Sequence, residues 1–251
     1  RPEEIEGVHL VGASHSPDID SYPYLWMLGG DIIGLKSGHP SKGSYWFPTF
    51  NSSEGVRALG FIKAQLDAGI KPQKNHYWGN EFLARKFAVM LEALQNHVHV
   101  NTTDQKNEFE HKVGFLPMFP VPDGTNQSAT MMGGWEFSIA NKSKNKDLAW
   151  ELVTIMEDPK IITPFFEKYG LLPTQVPIGN GEYSANLSRT IPYYDQLISM
   201  LQLKGVRPNI PEYPQIADYL RQALDEVLYH SMQPKQALDE AAAKSAKALG
   251  W

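Results

Sequence analysis

The sequence predicts an α/β protein built from more than one lobe. Three short apolar runs, residues 8–12, 87–91 and 113–117, have the length and composition of buried strands. Longer segments with helical periodicity lie between and after these runs, and this alternation is typical of an α/β fold. A connection rich in Pro, Gly and Ser, residues 118–130, follows the third run and suits a crossover between two lobes.

Composition excludes several classes of protein. The 251 residues carry a formal net charge of −5 with scattered lysines and arginines, so the chain has no basic stripe for a nucleic-acid backbone. The absence of cysteine excludes disulfides and thiolate metal sites. No run approaches the roughly 18 apolar residues that a membrane-spanning helix requires. The proportions of apolar and charged residues are those of an ordinary globular protein.

Three helices are predicted to serve packing. The first begins at Asn51, where Glu54 three residues later suggests a capping box, and it ends at Gly69. Its apolar stripe consists of Val56, Leu59, Ile62 and Leu66. The second carries Ile216, Leu220, Leu224 and Val227 on one face. The third is alanine-rich and opens at Pro234. We expect all three to build a core rather than a site.

Residues 131–150 form the most informative stretch of the chain. Gly133 and Gly134 allow a sharp turn or a close approach, and Trp135 follows with the largest flat apolar face of any side chain. A loop is therefore expected to present this ring. The alternation of residues 137–140 predicts a short strand after it.

A helix is predicted to follow the polar turn at residues 141–146. Its apolar positions Leu148, Leu152 and Ile155 share one face, and Asp158-Pro159 ends it. Trp150 is predicted to behave as a core residue on the apolar side of this helix. A further helix, residues 159–169, starts with proline and stops at Gly170.

These residues resemble a known family. The Gly-Gly-Trp triplet, the following apolar segment, the Asn-Lys-rich turn and the Ala-Trp helix are similar to those of the extracellular sugar-binding proteins of ABC importers, the maltose-binding-protein-like family 1. Further landmarks come in the family's order: residues 51–55, 113–117, 207–213 and 236–241. The resemblance covers nearly the whole chain but only the later part of a typical member.

The resemblance implies a fold and a function. The fold would be the periplasmic-binding-protein-like (class II) two-lobe α/β fold. Residues 1–112 and 159–251 would form the C-terminal lobe, and residues 113–158 would return to an N-terminal lobe whose remainder precedes Arg1. The protein would capture a mono- or oligosaccharide and deliver it to the membrane permease subunits of an ABC importer, without catalysis or cofactor. Its place would be extracellular or periplasmic, with membrane association through the importer or a lost N-terminal anchor.

The candidate ligand residues combine aromatic faces with polar groups. Sugars present C–H faces that stack on aromatic rings and hydroxyls that require paired donors and acceptors. The resemblance nominates the loop before the aromatic helix of residues 22–28, and Glu92 follows a strand at the end where ligands bind in open α/β sheets. The full set is Trp135, Gly134, Glu136, Asp18, Tyr22, Glu92, Arg207, Glu212 and Tyr213. The last three lie in residues 207–214, whose three prolines predict a stiff, non-helical loop.

Other classes of function remain open at this point. A glycoside hydrolase also uses paired carboxylates beside aromatics, and Asp18, Glu92, Glu136 and Glu212 could supply such a pair. A structural or adaptor module would place all the aromatics in its core. His97, His99, Asp104 and His111 could be read as zinc ligands, but the segment is polar and loop-like, where histidines are usually solvated. The sequence has no nucleotide-binding or serine-hydrolase motif.

The beginning of the chain generates a further expectation. Arg1 is not an initiator methionine and no signal peptide comes after it, so the start is expected to be processed or truncated. Without a first lobe, residues 113–158 would lack a covering sheet and the chain would hold a sugar by one wall. Affinity would then be roughly millimolar, and the exposed apolar surface would favour self-association or pairing with a separate N-terminal lobe.

Overall fold

The structure is a computed structural model of the chain. It describes residues 8–9, 21–39, 43–68, 89–90, 121, 128–134, 136–169, 171–175, 178–179, 181, 183–190 and 193–251.

Helices and short strands both occur among these residues. The strands are β1 (Val8–His9), β2 (Ile33–His39), β3 (Gly43–Pro48), β4 (Val89–Met90), β5 (Thr130–Met132) and β6 (Lys204–Val206). The helices are α1 (Tyr22–Met27), α2 (Ser53–Asp67), α3 (Lys146–Met156), α4 (Pro159–Tyr169), α5 (Ser184–Thr190), α6 (Tyr194–Met200), α7 (Tyr213–Tyr229) and α8 (Pro234–Ala248). A 3-10 helix, Leu201–Leu203, precedes β6. The mixture confirms the predicted α/β class.

The described strands pair two by two. β1 pairs with β4 and β5 with β6, both in parallel, whereas β2 and β3 form an antiparallel hairpin. Parallel neighbours need a long crossover between them, and both parallel pairs join segments that are far apart in the sequence. In the β5–β6 pair, Met131 lies opposite Gly205 and Met132 opposite Val206.

The chain divides into two compact units. Unit 1 comprises Arg1–Glu92, Leu116–Met132 and Leu203–Trp251, and unit 2 comprises Ala93–Phe115 and Gly133–Gln202. The predicted lobes, residues 1–112 with 159–251 and residues 113–158, are a different division of the chain and remain a prediction. Within unit 2, Phe166 of α4 shares a core cluster with residues of α5 and α6.

The last two helices, α7 and α8, form the centre of the core of unit 1. From α7 the buried side chains include Ile216, Leu220, Leu224 and Val227, whose spacing places them on one face as predicted. From α8 they are Ala237, Leu238, Ala241 and Ala242. The small alanines allow close approach of the two helices. Residues of α1 and α2 belong to the same cluster, which confirms the packing role of all three predicted helices.

Helix α2 keeps its predicted stripe but begins one residue later than expected. Leu59 and Ile62 are buried, and Val56 and Leu66 pack against the same core. The N-cap is Ser52, whose hydroxyl accepts a hydrogen bond from the Gly55 amide at 3.4 Å. The predicted capping box from Asn51 is therefore wrong, since a serine beside it supplies the oxygen instead. The Ser52 hydroxyl also lowers the pKa of the Glu54 carboxyl in the first turn.

Unit 2 has a smaller core of its own. It consists of Phe166, Ile178, Leu187, Tyr194 and Leu197. The Tyr194 hydroxyl donates to the Gly179 carbonyl at 3.2 Å, so its polar end is satisfied inside the cluster. Burial raises the pKa of this hydroxyl.

Helix α3 exposes its apolar face in the structure. None of its residues is buried, and Leu148, Leu152 and Ile155 are 66%, 57% and 51% exposed. Trp150 is 64% exposed, so the prediction that it is a core residue is wrong. Residues 137–140, predicted as a strand, have no regular secondary structure. The strand of this region is β5, which lies before the two glycines.

Gly55 is a position where a larger residue should be costly. A Cβ built on Gly55 would overlap the carbonyl oxygen of Phe50, which is backbone and has little freedom to move. We expect Gly55→Ala to destabilise the protein by about 1–3 kcal/mol in denaturant unfolding. Gly60 in the same helix is the matched control, because its Cβ would meet no atom within 4 Å. Gly60→Ala should instead stabilise by about 0.5–1 kcal/mol, and equal effects at both positions would contradict the steric argument.

The link between α8 and the start of α2 should depend on pH. Hydrogen bonds from Lys235 and from the Asn51 amide, the latter at 3.0 Å, hold the pKa of the Asp239 carboxyl below its usual range. A carboxyl whose pKa is lowered by folding stabilises the protein above its unfolded pKa of about 3.9, and this contribution is lost as the pH falls through the folded pKa. Asp239→Asn should therefore lower the melting temperature at pH 7, and this effect should disappear as the pH falls through the folded pKa of Asp239. A difference in melting temperature between variant and parent that does not change with pH would contradict this prediction.

Candidate functional site

The ends of β5 and β6 position the segments that carry several predicted ligand residues. The two strands run in parallel, so both carboxyl ends lie at the same edge of the pair. Gly133 and Gly134 continue the chain after β5, and Arg207 continues it after β6. In open α/β folds, ligands bind outside the carboxyl ends of strands. This edge is therefore a candidate recognition site of unit 1.

The segment after β6 is short and rigid. Residues 207–212 have no regular structure, and Pro208 and Pro211 each fix one backbone angle within it. The segment ends where the Tyr213 amide donates to the Ile210 carbonyl at 3.1 Å. Arg207 and Glu212 are both half-buried, so their side chains retain contact with solvent while their backbone is held in place. The predicted non-helical loop of residues 207–214 is thus confirmed for residues 207–212, whereas Tyr213 and Pro214 begin α7.

Glu212 also has a structural role. It is the N-cap residue of α7, and its carbonyl accepts from the amides of Gln215 and Ile216 at 3.1 and 3.2 Å. A carboxylate at this end of a helix is favoured by the partial positive charge of the free amides. Its side chain makes no capping hydrogen bond. The carboxylate is therefore held near the helix start without being used to cap it.

The two tyrosines of the predicted set belong to the core. Tyr22 is 1% exposed, and its ring centre lies 5.7 Å from that of Trp26. A ring that stacks on a sugar needs an open face, so Tyr22 in this structure does not fulfil the predicted role. Tyr213 is half-buried and packs against the same core cluster. Both residues come from aromatic-rich segments in which sequence alone does not separate packing from binding.

Gly134 and Glu136 lie in an exposed segment of unit 2. Both are exposed, as are Phe137 and Ser138 after them. The residues on either side of position 135 thus lie in an exposed segment without helix or strand. Trp135 itself lies outside the described residues, as do Asp18 and Glu92. Their predicted roles stay predictions.

Trp26, Asp31 and Gly205 form a contact that the sequence analysis missed. The indole nitrogen of Trp26 donates to the Asp31 carboxylate at 3.4 Å, and the same oxygen accepts from the Ile32 amide at 2.7 Å. The face of the Trp26 ring lies against Gly205 in the middle of β6. A glycine inside a three-residue strand is the one sequence signal that could have pointed to a close approach.

Metal-binding clusters and membrane-spanning helices are both absent from the described part of the chain. No group of three or more His, Cys, Asp or Glu side chains there is arranged to hold a metal ion. The histidines considered as zinc ligands lie outside it. Among the same described residues, no helix has the length and apolar character needed to cross a bilayer.

Comparison with solved structures identifies the fold. No protein-family model matches the chain. A maltose-bound MalE3 from T. maritima superposes with a TM-score of 0.81 at 20% identity, over 98% of this chain and 61% of that one. An ABC transporter solute-binding protein from Thermotoga lettingae, bound to α-D-tagatose, gives 0.78 at 19% identity, over 99% and 61%. The GacH receptor of Streptomyces glaucescens, solved unliganded and with acarbose, gives 0.76 at 24%, over 98% and 59%.

These matches confirm the predicted fold without identifying ligand residues. The chain spans about three-fifths of the length of the structures it matches. At identities below 25%, the likeness extends to the fold and not to individual side chains of a site. Over nearly its whole length, the chain has the α/β fold of the periplasmic-binding-protein-like solute-binding proteins.

Proposed function

We propose that this chain captures a mono- or oligosaccharide outside the membrane and delivers it to the permease of an ABC importer. The observation that carries the proposal is the superposition, over 98–99% of the chain, on three binding proteins that belong to ABC transporters or were solved with a sugar or acarbose. Capture requires no nucleophile or general acid. An extracellular or periplasmic location follows from the same proposal, as does association with the membrane through the importer.

The physical character of the described residues supports recognition of a polyhydroxylated ligand. Arg207 offers a fork of donors and Glu212 a pair of acceptors on one rigid loop, which suits the adjacent hydroxyls of a sugar. Glu136 and the backbone at Gly134 lie in an exposed segment beside Trp135. We propose that the Trp135 ring stacks on a sugar face and that Asp18 and Glu92 accept from hydroxyls.

A sugar panel tests the proposal directly. Isothermal titration calorimetry with glucose, maltose, maltotriose, tagatose and unrelated solutes should give heat only with sugars. Binding of amino acids or peptides in place of sugars would overturn the proposal.

The role of Trp135 is tested by truncation of its ring. Trp135→Ala should weaken sugar binding by about tenfold, because a stacking face is lost, while the melting temperature changes little. Trp150→Ala is the matched control, since Trp150 is an exposed tryptophan of the same unit. The control should leave affinity unchanged. A lower melting temperature with unchanged affinity for Trp135→Ala would show that Trp135 serves packing.

The carboxylates are expected to bind and not to catalyse. Glu212→Gln should weaken sugar binding by roughly 10- to 100-fold through loss of charge-assisted hydrogen bonds. Glu240→Gln, an exposed glutamate on α8, should have no effect. Incubation with malto-oligosaccharides should release no reducing ends. Release that Glu92→Gln or Glu212→Gln abolishes would identify a glycoside hydrolase instead.

A further inference from the structure

Several contacts besides the one with β6 hold the Trp26 ring in place. It extends from α1, its nitrogen donates to the Asp31 carboxylate, and it packs against the core cluster of unit 1. The neighbouring ring of Tyr22 lies at 59° to it, in the tilted arrangement that aromatic pairs prefer. A tryptophan held in this way behaves as a rigid surface rather than as a flexible side chain.

Gly205 rests on that surface with no room for a side chain. A Cβ at position 205 would overlap Cε3, Cζ3 and Cδ2 of Trp26. These three atoms belong to the fused edge and six-membered ring of the indole, so a small rotation does not clear them. The φ of Gly205 is not among the positive values in the described residues. Glycine is required there for space and not for backbone conformation.

The position of β6 also sets that of β5. The two strands are three residues each and pair only with one another among the described strands. So short a ladder has few hydrogen bonds to hold its register, and α1 packs against both strands. A displacement of Gly205 away from the ring would move Met131 opposite it. It would also move Arg207, two residues further along the chain.

We infer that Trp26 is a positioning residue: its ring seats Gly205 and thereby fixes the β5–β6 pair from whose ends the candidate ligand segments continue. The consequence for sugar binding rests on the proposed function, whereas the seating of the strands does not. Trp26 itself need not touch a ligand. Its effect on affinity passes through the loop that holds Arg207 and Glu212.

Reciprocal substitutions test this seating. Gly205→Ala forces the ring and strand apart, so amide hydrogen exchange at residues 130–132 and 204–206 should accelerate by at least about tenfold. The affinity for whichever sugar binds the parent should fall by a similar factor. Adding Trp26→Ala to Gly205→Ala removes the clash. The double variant should therefore exchange more slowly and bind sugar more tightly than Gly205→Ala alone. Gly60→Ala is the control, because a Cβ at Gly60 meets no atom within 4 Å, and it should change neither the exchange rates nor the affinity.

Each outcome decides the inference. Unchanged amide exchange in Gly205→Ala would overturn the inference. So would a double variant whose exchange rates and affinity are no closer to those of the parent than in the worse single variant. Faster exchange with unchanged sugar affinity would overturn the positioning role. If Gly205→Ala does not fold, Gly205→Ala with Trp26→Phe should recover folding, and failure to recover would also overturn it. If the parent binds no sugar, the proposed function fails while the exchange measurements still decide the seating.

Discussion

The packing of α7 and α8 on α1 and α2 is the interaction on which the rest of unit 1 depends. It brings together segments from the two ends of the sequence, and the hydrogen bond from Asn51 to Asp239 ties the start of α2 to α8 across this junction. The absence of a side chain at Gly55 lets α2 begin directly beneath the Phe50 carbonyl and close to Leu238. The β5–β6 pair and the proline-stiffened loop after it are supported by this layer, because α1 packs against both strands and α7 begins where the loop ends.

The sequence predicted the elements whose signal is local. The stripe of α7 is regular enough to identify both the helix and its buried face, and the paired prolines predicted an irregular loop before it. Prediction failed where a side chain's environment depends on distant residues. Tyr22, which the resemblance nominated as a ligand residue, is buried. Trp150, which was predicted to lie in the core, is exposed, because periodicity records which face of a helix is apolar and not what covers that face. The N-cap of α2 is Ser52 and not the predicted Asn51, and these two adjacent residues have similar capping ability.

The candidate site shows the same division. A rigid loop with Arg207 and Glu212 follows from the local chemistry of proline, and the structure places it at a strand end. The Trp26–Gly205 contact joins residues from distant parts of the chain, which no local pattern reveals. The matched structures share the fold at low identity because many sequences can fill the same core. Ligand recognition depends on a few side chains, and similarity of fold does not identify them.

The discontinuous core of unit 1 has a consequence for biosynthesis. Helices α1 and α2 are made before unit 2, but the helices that cover their apolar faces are made only after unit 2 is complete. At ordinary rates of translation, roughly 10 to 30 s separate α2 from α7. During that interval Leu59 and Ile62 have no native partner from α7 or α8, while the contiguous helices α4 to α6 can already assemble. The core of unit 1 therefore forms only once the chain through α8 is available, whereas the core of unit 2 does not wait for it.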